Sequence, residues 1–289
     1  MVLPNFIHIG PAKAGSSWLH DVMSRHPDIY MAKAKELYFF DRYYERGLAW
    51  YETQFRGAGP EHAIVGEVCP LYLPSPETPE RMHACLGGDI KLMVTLRDPV
   101  ERAFSHYLYM LKRGIAPSSF RNALKRRPEL IRSGMYATHL RRYLHYFDRD
   151  TIYLAFFDDL RRDPQAFLDQ LLSWLEVPPL QLEPSLRAAK LPASRARSVL
   201  AARAVRRVAE WAREHGSAAL VGQIRRSSLV HRMLFRPLGE AYPTISEDDA
   251  AYVRSRLEPE IADLEELLEL PLRQRWGWHL AHQGPIPAP

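Results

Sequence analysis

The chain has 289 residues, 46% hydrophobic and 25% charged, a composition that argues against a disordered or fibrous protein and is long enough for one large domain or two small ones. Its net charge of +5 and pI near 9.2 favour an anionic partner, without separating a nucleotide from a polysaccharide, a nucleic acid or a membrane. Cys69 and Cys85 are too few for a disulfide framework or a cysteine-liganded zinc site, and both are expected to be reduced.

No apolar run is long enough to span a bilayer and no signal-peptide pattern precedes the first expected strand, so the sequence predicts a cytoplasmic protein. That strand is the run Phe6, Ile7 and Ile9. Gly10 and Gly15 then bracket a turn, and Ser16 or Ser17 is placed to cap the helix that follows. A loop that delivers main-chain N–H groups to a helix start is an anion site, because those first amides have no partner within the helix. Lys13 adds a cation. The frame from Gly10 to Gly15 matches a nucleoside triphosphatase P-loop, but Ser16 stands where that motif has its lysine, which lies three residues earlier. A magnesium-dependent P-loop kinase is therefore disfavoured.

Trp18, Leu19, Val22 and Met23 have helical spacing, and His26-Pro27 ends that helix. In Lys35-Glu36-Leu-Tyr38-Phe39-Phe40-Asp41 a charged pair runs into large apolar residues, which makes Glu36 a candidate general base held by Lys35 or Lys13. A surface ion pair is the alternative. Arg42 to Phe55 reads as an aromatic helix or lid, and Ala63 to Val68 as a second strand. Glu80 to Leu86 reads as a short helix closed by Gly87-Gly88. Lys91 to Leu96 is the clearest buried strand. Arg97 stands at its carboxyl end, where open α/β sheets bind ligands, and suits a phosphate. Asp98-Pro99 starts a helix carrying Ser105 and His106. Thr151 to Phe157 is a further strand, followed by Asp158 and Asp159 as capping residues rather than metal ligands. Asp163-Pro164 opens a helix through Trp174. Alternating strands and helices predict an α/β fold with a mainly parallel central sheet flanked by helices.

From Arg187 to Glu240 there are twelve Lys or Arg against three Glu. This basic segment is read as a flexible loop around Ser194-Arg195-Ala196-Arg197 and then helices from Val199 to Phe235. It suits an acceptor site, a lid, a peripheral membrane contact or a polyanion-binding module without catalysis. Ser246 to Leu270 follows as an acidic amphipathic helix with Ser246 as its cap. No linker divides the chain, so a single domain over 1–289 is expected.

Taken together, Gly10-Pro-Ala-Lys13-Ala-Gly-Ser-Ser-Trp18, Lys35-Glu36-Leu-Tyr-Phe-Phe-Asp41, Leu96-Arg97-Asp-Pro-Val-Glu-Arg-Ala-Phe-Ser105 and Gly134-Met-Tyr-Ala-Thr-His-Leu140 resemble the nucleotide-dependent sulfotransferases, nearest the heparan sulfate type. The resemblance implies a P-loop-like strand-loop-helix and transfer of a sulfuryl group from 3′-phosphoadenosine 5′-phosphosulfate (PAPS) to a hydroxyl or amine, leaving 3′-phosphoadenosine 5′-phosphate (PAP), with no metal. It implies that Lys13, Ala14, Gly15, Ser16, Ser17 and Trp18 hold the 5′-phosphosulfate, Arg97 and Ser105 the 3′-phosphate, and Arg195, Ala196 and Arg197 a loop over that phosphate. Glu36 matches the family's base, with His106 as a rival. Lys35, Tyr38, Phe39, Phe40 and Trp50 are expected to face a small-molecule, lipid, sugar or carrier-bound acceptor, and no nucleic acid. Glu67-Val68-Cys69-Pro70 departs from the Glu-Lys-Thr-Pro of the heparan sulfate enzymes and lacks the lysine associated with their acidic polysaccharide, which points to a small metabolite, a lipid or a carrier-bound intermediate as acceptor; the missing membrane anchor suggests a cytosolic, bacterial enzyme.

Overall fold

The structure, a computed structural model, describes residues 2–187, 194–196, 235–237 and 244–278. In chain order its elements are β1 (Phe6–Gly10), α1 (Ser16–Met23), β2 (Ile29–Met31), α2 (Phe39–Arg42), α3 (Leu48–Glu52), β3 (Ile64–Val68), α4 (Thr78–Leu86), β4 (Lys91–Leu96), α5 (Pro99–Lys112), α6 (Phe120–Arg126), α7 (Glu129–Arg132), α8 (Tyr136–Leu144), β5 (Ile152–Phe156), α9 (Phe157–Arg162), α10 (Pro164–Leu175), α11 (Pro184–Arg187), β6 (Ser194–Ala196), β7 (Phe235–Pro237), α12 (Glu247–Leu268) and α13 (Leu272–Arg275). They fall into two compact units, residues 1–97 with 136–189, and residues 98–135 with 190–289.

The first unit is built on a five-stranded sheet in the order β2-β3-β1-β4-β5, with every neighbouring pair parallel. All five residues of β1 and all five of β3 are buried, as parallel strands covered on both faces must be. The chain leaves β3 on one side of β1 and enters β4 on the other, so the carboxyl end of β1 lies at the crevice where such sheets hold ligands. The register of β1 against β4 slips between His8 and Gly10, which inserts one residue into β1 just before the loop. Trp18, Leu19, Val22 and Met23 of α1 join Leu168, Leu171 and Leu172 of α10 in one apolar cluster over the sheet. Trp18 belongs to this core, and its indole N–H donates to the Leu186 carbonyl at 3.0 Å.

Two details of this unit differ from the expectations drawn from sequence. β2 has only three residues, too few to show a period. Asp158 and Asp159 lie within the first turn of α9 and neither caps it; Phe156 occupies the cap position.

In the second unit, Val100, Ala103, Phe104 and Tyr107 of α5 pack with Phe120, Leu130, Val253 and Leu257. Asp98 caps α5 by accepting from the Val100 N–H at 2.7 Å, and Pro99 sits in its first turn. Ser246 caps α12 through the Asp249 N–H at 3.2 Å. The expected loop around Arg195 contains a strand: Ser194–Ala196 pairs antiparallel with Phe235–Pro237. Arg197 and the helices expected within 199–235 lie outside the described residues. Among the described residues no helix is long and apolar enough to cross a membrane.

Candidate active site

The loop after β1 takes its shape from two glycines. Gly10 has φ +129°, and a Cβ there would lie 2.5 Å from the Pro70 carbonyl oxygen, closer than any side-chain carbon can sit. Gly15 has φ +87°, and a Cβ would lie 2.6 Å from a methyl of Leu160. Gly15, and neither serine, occupies the N-cap of α1, and no side chain caps that helix. The expected serine cap is thereby corrected. A left-handed glycine turns the chain so that Ser16 and Ser17 begin the helix with no side-chain oxygen capping it.

Lys13 has φ +76°, and its carbonyl oxygen accepts from Arg97 Nη1 at 2.8 Å. Arg97 is 2% exposed, and its guanidinium lies over the Phe157 ring with the centroid at 4.3 Å. Arg97, which the sequence assigns to a phosphate, also braces the main chain of the loop after β1 from the end of β4. Ala14 and Ser16 are buried, whereas Ser17 is exposed.

The second loop follows β2. The Glu36 N–H donates to the Val68 carbonyl at 2.9 Å, which docks the loop on the end of β3. Lys35 Nζ donates to Glu36 Oε1 at 3.0 Å and to Ser17 Oγ at 3.1 Å. One ammonium thus joins the helix that starts at the anion loop to the carboxylate proposed as base. The Lys35–Glu36 pair is half-buried, with 22% and 23% of the two side chains exposed, so it is not a freely solvated surface pair. Tyr38 Oη donates to the other oxygen, Glu36 Oε2, at 2.5 Å, and the Arg42 guanidinium covers the Tyr38 ring at 4.4 Å. Both carboxylate oxygens are therefore held. Glu36 and Tyr38 have φ +66° and +58°, a left-handed backbone that side chains other than glycine rarely adopt.

Phe39 and Phe40 do not face an acceptor. They are 1% and 0% exposed and form an aromatic core with Tyr51, stacked on Phe39 at 4.4 Å, and Tyr72, edge-on to Phe40 at 5.6 Å. The apolar run after Glu36 anchors the loop from below instead of lining a pocket. Trp50 is half-buried, with the Arg46 guanidinium over its ring at 4.9 Å. Ser105 and His106 are half-buried on α5 of the second unit, while Arg195 and Ala196 belong to β6 there.

Sequence reasoning passed over Glu67. This residue of β3 is fully buried and accepts from Tyr51 Oη at 2.6 Å and Tyr72 Oη at 2.8 Å. Burial raises its pKa to about 7 against the lowering effect of these donors. Its one signal in the sequence is a carboxylate in the middle of an apolar strand. Asp41 is raised to about 6, again chiefly by burial. His8, fully buried in β1 with Nε2 3.1 Å from Thr95 Oγ1, is lowered to about 3 by burial and then by the charge of Lys35. It stays neutral at any ordinary pH, as a core residue beneath a cationic site must.

Over 181 residues the chain is 35% identical to the human protein named heparan sulfate glucosamine 3-O-sulfotransferase 6, covering 60% of this chain and 52% of that one. The mouse protein named heparan sulfate glucosamine 3-O-sulfotransferase 3A1 is 36% identical over 182 residues, covering 60% and 46%. The chain thus spans about half the length of the curated relatives it matches. Among solved structures, a sulfotransferase from Alicyclobacillus acidocaldarius superposes with a TM-score of 0.57 at 28% identity, covering 80% of this chain and all of that one. Residues 3–214 match the family described as sulfotransferase domain, and the chain belongs to that family.

Proposed function

We propose that the protein transfers a sulfuryl group from PAPS to a sugar hydroxyl, with Glu36 as general base. The observation that carries this reading is the Lys35 ammonium, bonded at once to Ser17 beside the anion loop and to Glu36. It ties the place for a donor's 5′-phosphosulfate to the place for an acceptor's proton. The loop fits the donor: glycines allow the chain to approach an anion closely, and α1 starts without a side-chain cap. A sugar acceptor is supported by the names of the curated relatives.

In the reaction the acceptor oxygen attacks sulfur in line as the bond from sulfur to the nucleotide phosphate breaks. Glu36 takes the acceptor proton. Negative charge grows on the departing phosphate, where Lys13 and the amides of Ser16 and Ser17 stabilise it. Positioning and fixed charge do most of the work, as in phosphoryl transfer.

The test measures PAP and AMP affinities by calorimetry and the transfer of label from radiolabelled PAPS to an N-sulfated heparan-backbone oligosaccharide. PAP is expected to bind much more tightly than AMP, and Lys13→Ala to slow turnover by about a hundredfold or more. Equal affinity for the two nucleotides would reject the donor assignment. No label on the oligosaccharide, with transfer to some other acceptor, would reject the sugar.

A further inference from the structure

The loop that carries Glu36 turns through two left-handed residues without a glycine, so something beneath it must hold that shape. Two main-chain groups are gripped from below: the Glu36 N–H goes to the Val68 carbonyl, and the Phe39 N–H to Tyr72 Oη at 2.9 Å. The nearby Leu37 amide lowers the pKa of the Glu67 carboxyl. The Tyr72 hydroxyl that accepts from Phe39 donates its own proton to Glu67. Tyr51, the other donor to Glu67, stacks on the Phe39 ring. Glu67 is thus the point where these contacts converge.

We infer that Glu67 is a positioning residue for Glu36: its carboxylate, holding the Phe39 main chain through Tyr72, fixes the loop in the shape that presents the base. The inference rests on the proposed role of Glu36. Two tyrosine hydroxyls donating to the two oxygens of one carboxyl group suit the anion. A protonated Glu67 becomes a donor itself, so one of the two hydroxyls must turn away from it. Where the proton sits on Oε1, Tyr72 gives up its donation, and the hydroxyl that receives the Phe39 N–H loses its fixed partner. Protonation on that side therefore loosens the segment 35–41.

The titratable groups that act on Glu67 are Asp41 from α2, Tyr51 from α3, and Cys69 and Tyr72 from the segment after β3. Burial keeps the two tyrosines and the cysteine neutral well above their usual ranges, which leaves Asp41 and the carboxylate of Glu36 itself as competitors for an acidic transition, separated by Asp41→Asn and by amide exchange in Glu36→Gln.

The test follows amide hydrogen exchange in the peptide 35–41, corrected for intrinsic rates, from pH 5.5 to 8.5, beside PAP affinity and PAPS turnover with the oligosaccharide. In the wild type, protection of 35–41 and kcat should rise together through about pH 7. Glu67→Gln should flatten both transitions, lower kcat by about a hundredfold and leave PAP affinity and the donor KM within about threefold. Asp41→Asn should retain the transition. If Glu67→Gln does not fold, Tyr72→Phe carries the same test, since it removes the Phe39 acceptor and keeps the carboxylate. Exchange in 35–41 that ignores both pH and these substitutions overturns the inference. A wild type that binds no PAP but shows the exchange transition would instead remove the sulfotransfer reading and keep the clamp.

Discussion

Between Gly10 and Gly15 the main chain turns on glycines at both ends, whereas between Lys35 and Asp41 it turns on Glu36 and Tyr38 with no glycine at all. The first loop confines its side-chain strain to Lys13, at φ +76° with Arg97 bracing its carbonyl, because the glycines at its two ends adopt positive φ without steric cost. The second depends on partners: an ammonium and a phenol on the carboxylate, a strand carbonyl on the amide, and a buried acid with two tyrosines below. An anion cradle made of amides, as proposed for the first loop, can be sequence-poor; the base proposed at Glu36 acts through its side chain, and so the side chains around it hold what glycine holds next door.

The largest expected effect separates the two loops by function. Glu36→Gln should lower kcat by about a thousandfold while leaving PAP affinity unchanged, since it removes a proton acceptor and no donor contact. Unchanged label transfer in that variant would reject Glu36 as base.

Next in size is an attack on the glycine side of the contrast. Gly10→Ala places a methyl against the Pro70 carbonyl in a backbone that alanine disfavours, and stability should fall by on the order of 3 kcal/mol. The urea midpoint measures this; a shift of less than about 1 kcal/mol would show that the loop can yield where it looks fixed.

The most gradual effect concerns His8, under both loops. Its folded pKa of about 3 lies below the ordinary 6.5, so the neutral ring belongs to the folded state. Stability from this group is complete above pH 6.5 and is lost as pH falls from 6.5 towards 3, with a slope approaching about 1.4 kcal/mol per pH unit. Glu67 and Asp41 act in the opposite sense, because their raised values favour the folded state as pH falls from about 7 and about 6. Wild type and His8→Gln should therefore diverge in their stability between pH 4 and 6, and parallel curves would show that His8 is not buried as a neutral ring.

What could be read from the chain followed the same division. β1, its loop and α1 were legible because glycine spacing and an apolar run are local signals, and the strand Lys91 to Leu96 was legible because it is buried on both sides. The Ser16 or Ser17 cap was misassigned because sequence favours serine there, whereas the left-handed turn needs Gly15. Phe39 and Phe40 read as a pocket wall in the sequence because nothing local tells an aromatic that lines a cleft from one that fills a core. Their partners Tyr51 and Tyr72 lie well along the chain. Glu67 escaped notice for that reason too, since its donors come from either side of it in sequence and meet it only in the fold.

Tyr38 shows how one residue can serve stability and turnover at once. At φ +58° a tyrosine strains the backbone by about 1–2 kcal/mol that glycine would relieve, and its phenol is one of the two groups holding Glu36. The residue is only 7% exposed, so truncation to glycine forfeits about 3–5 kcal/mol of packing, more than the strain returns. A library screened for heat resistance should therefore retain an aromatic residue at position 38, and one screened for turnover should retain tyrosine itself.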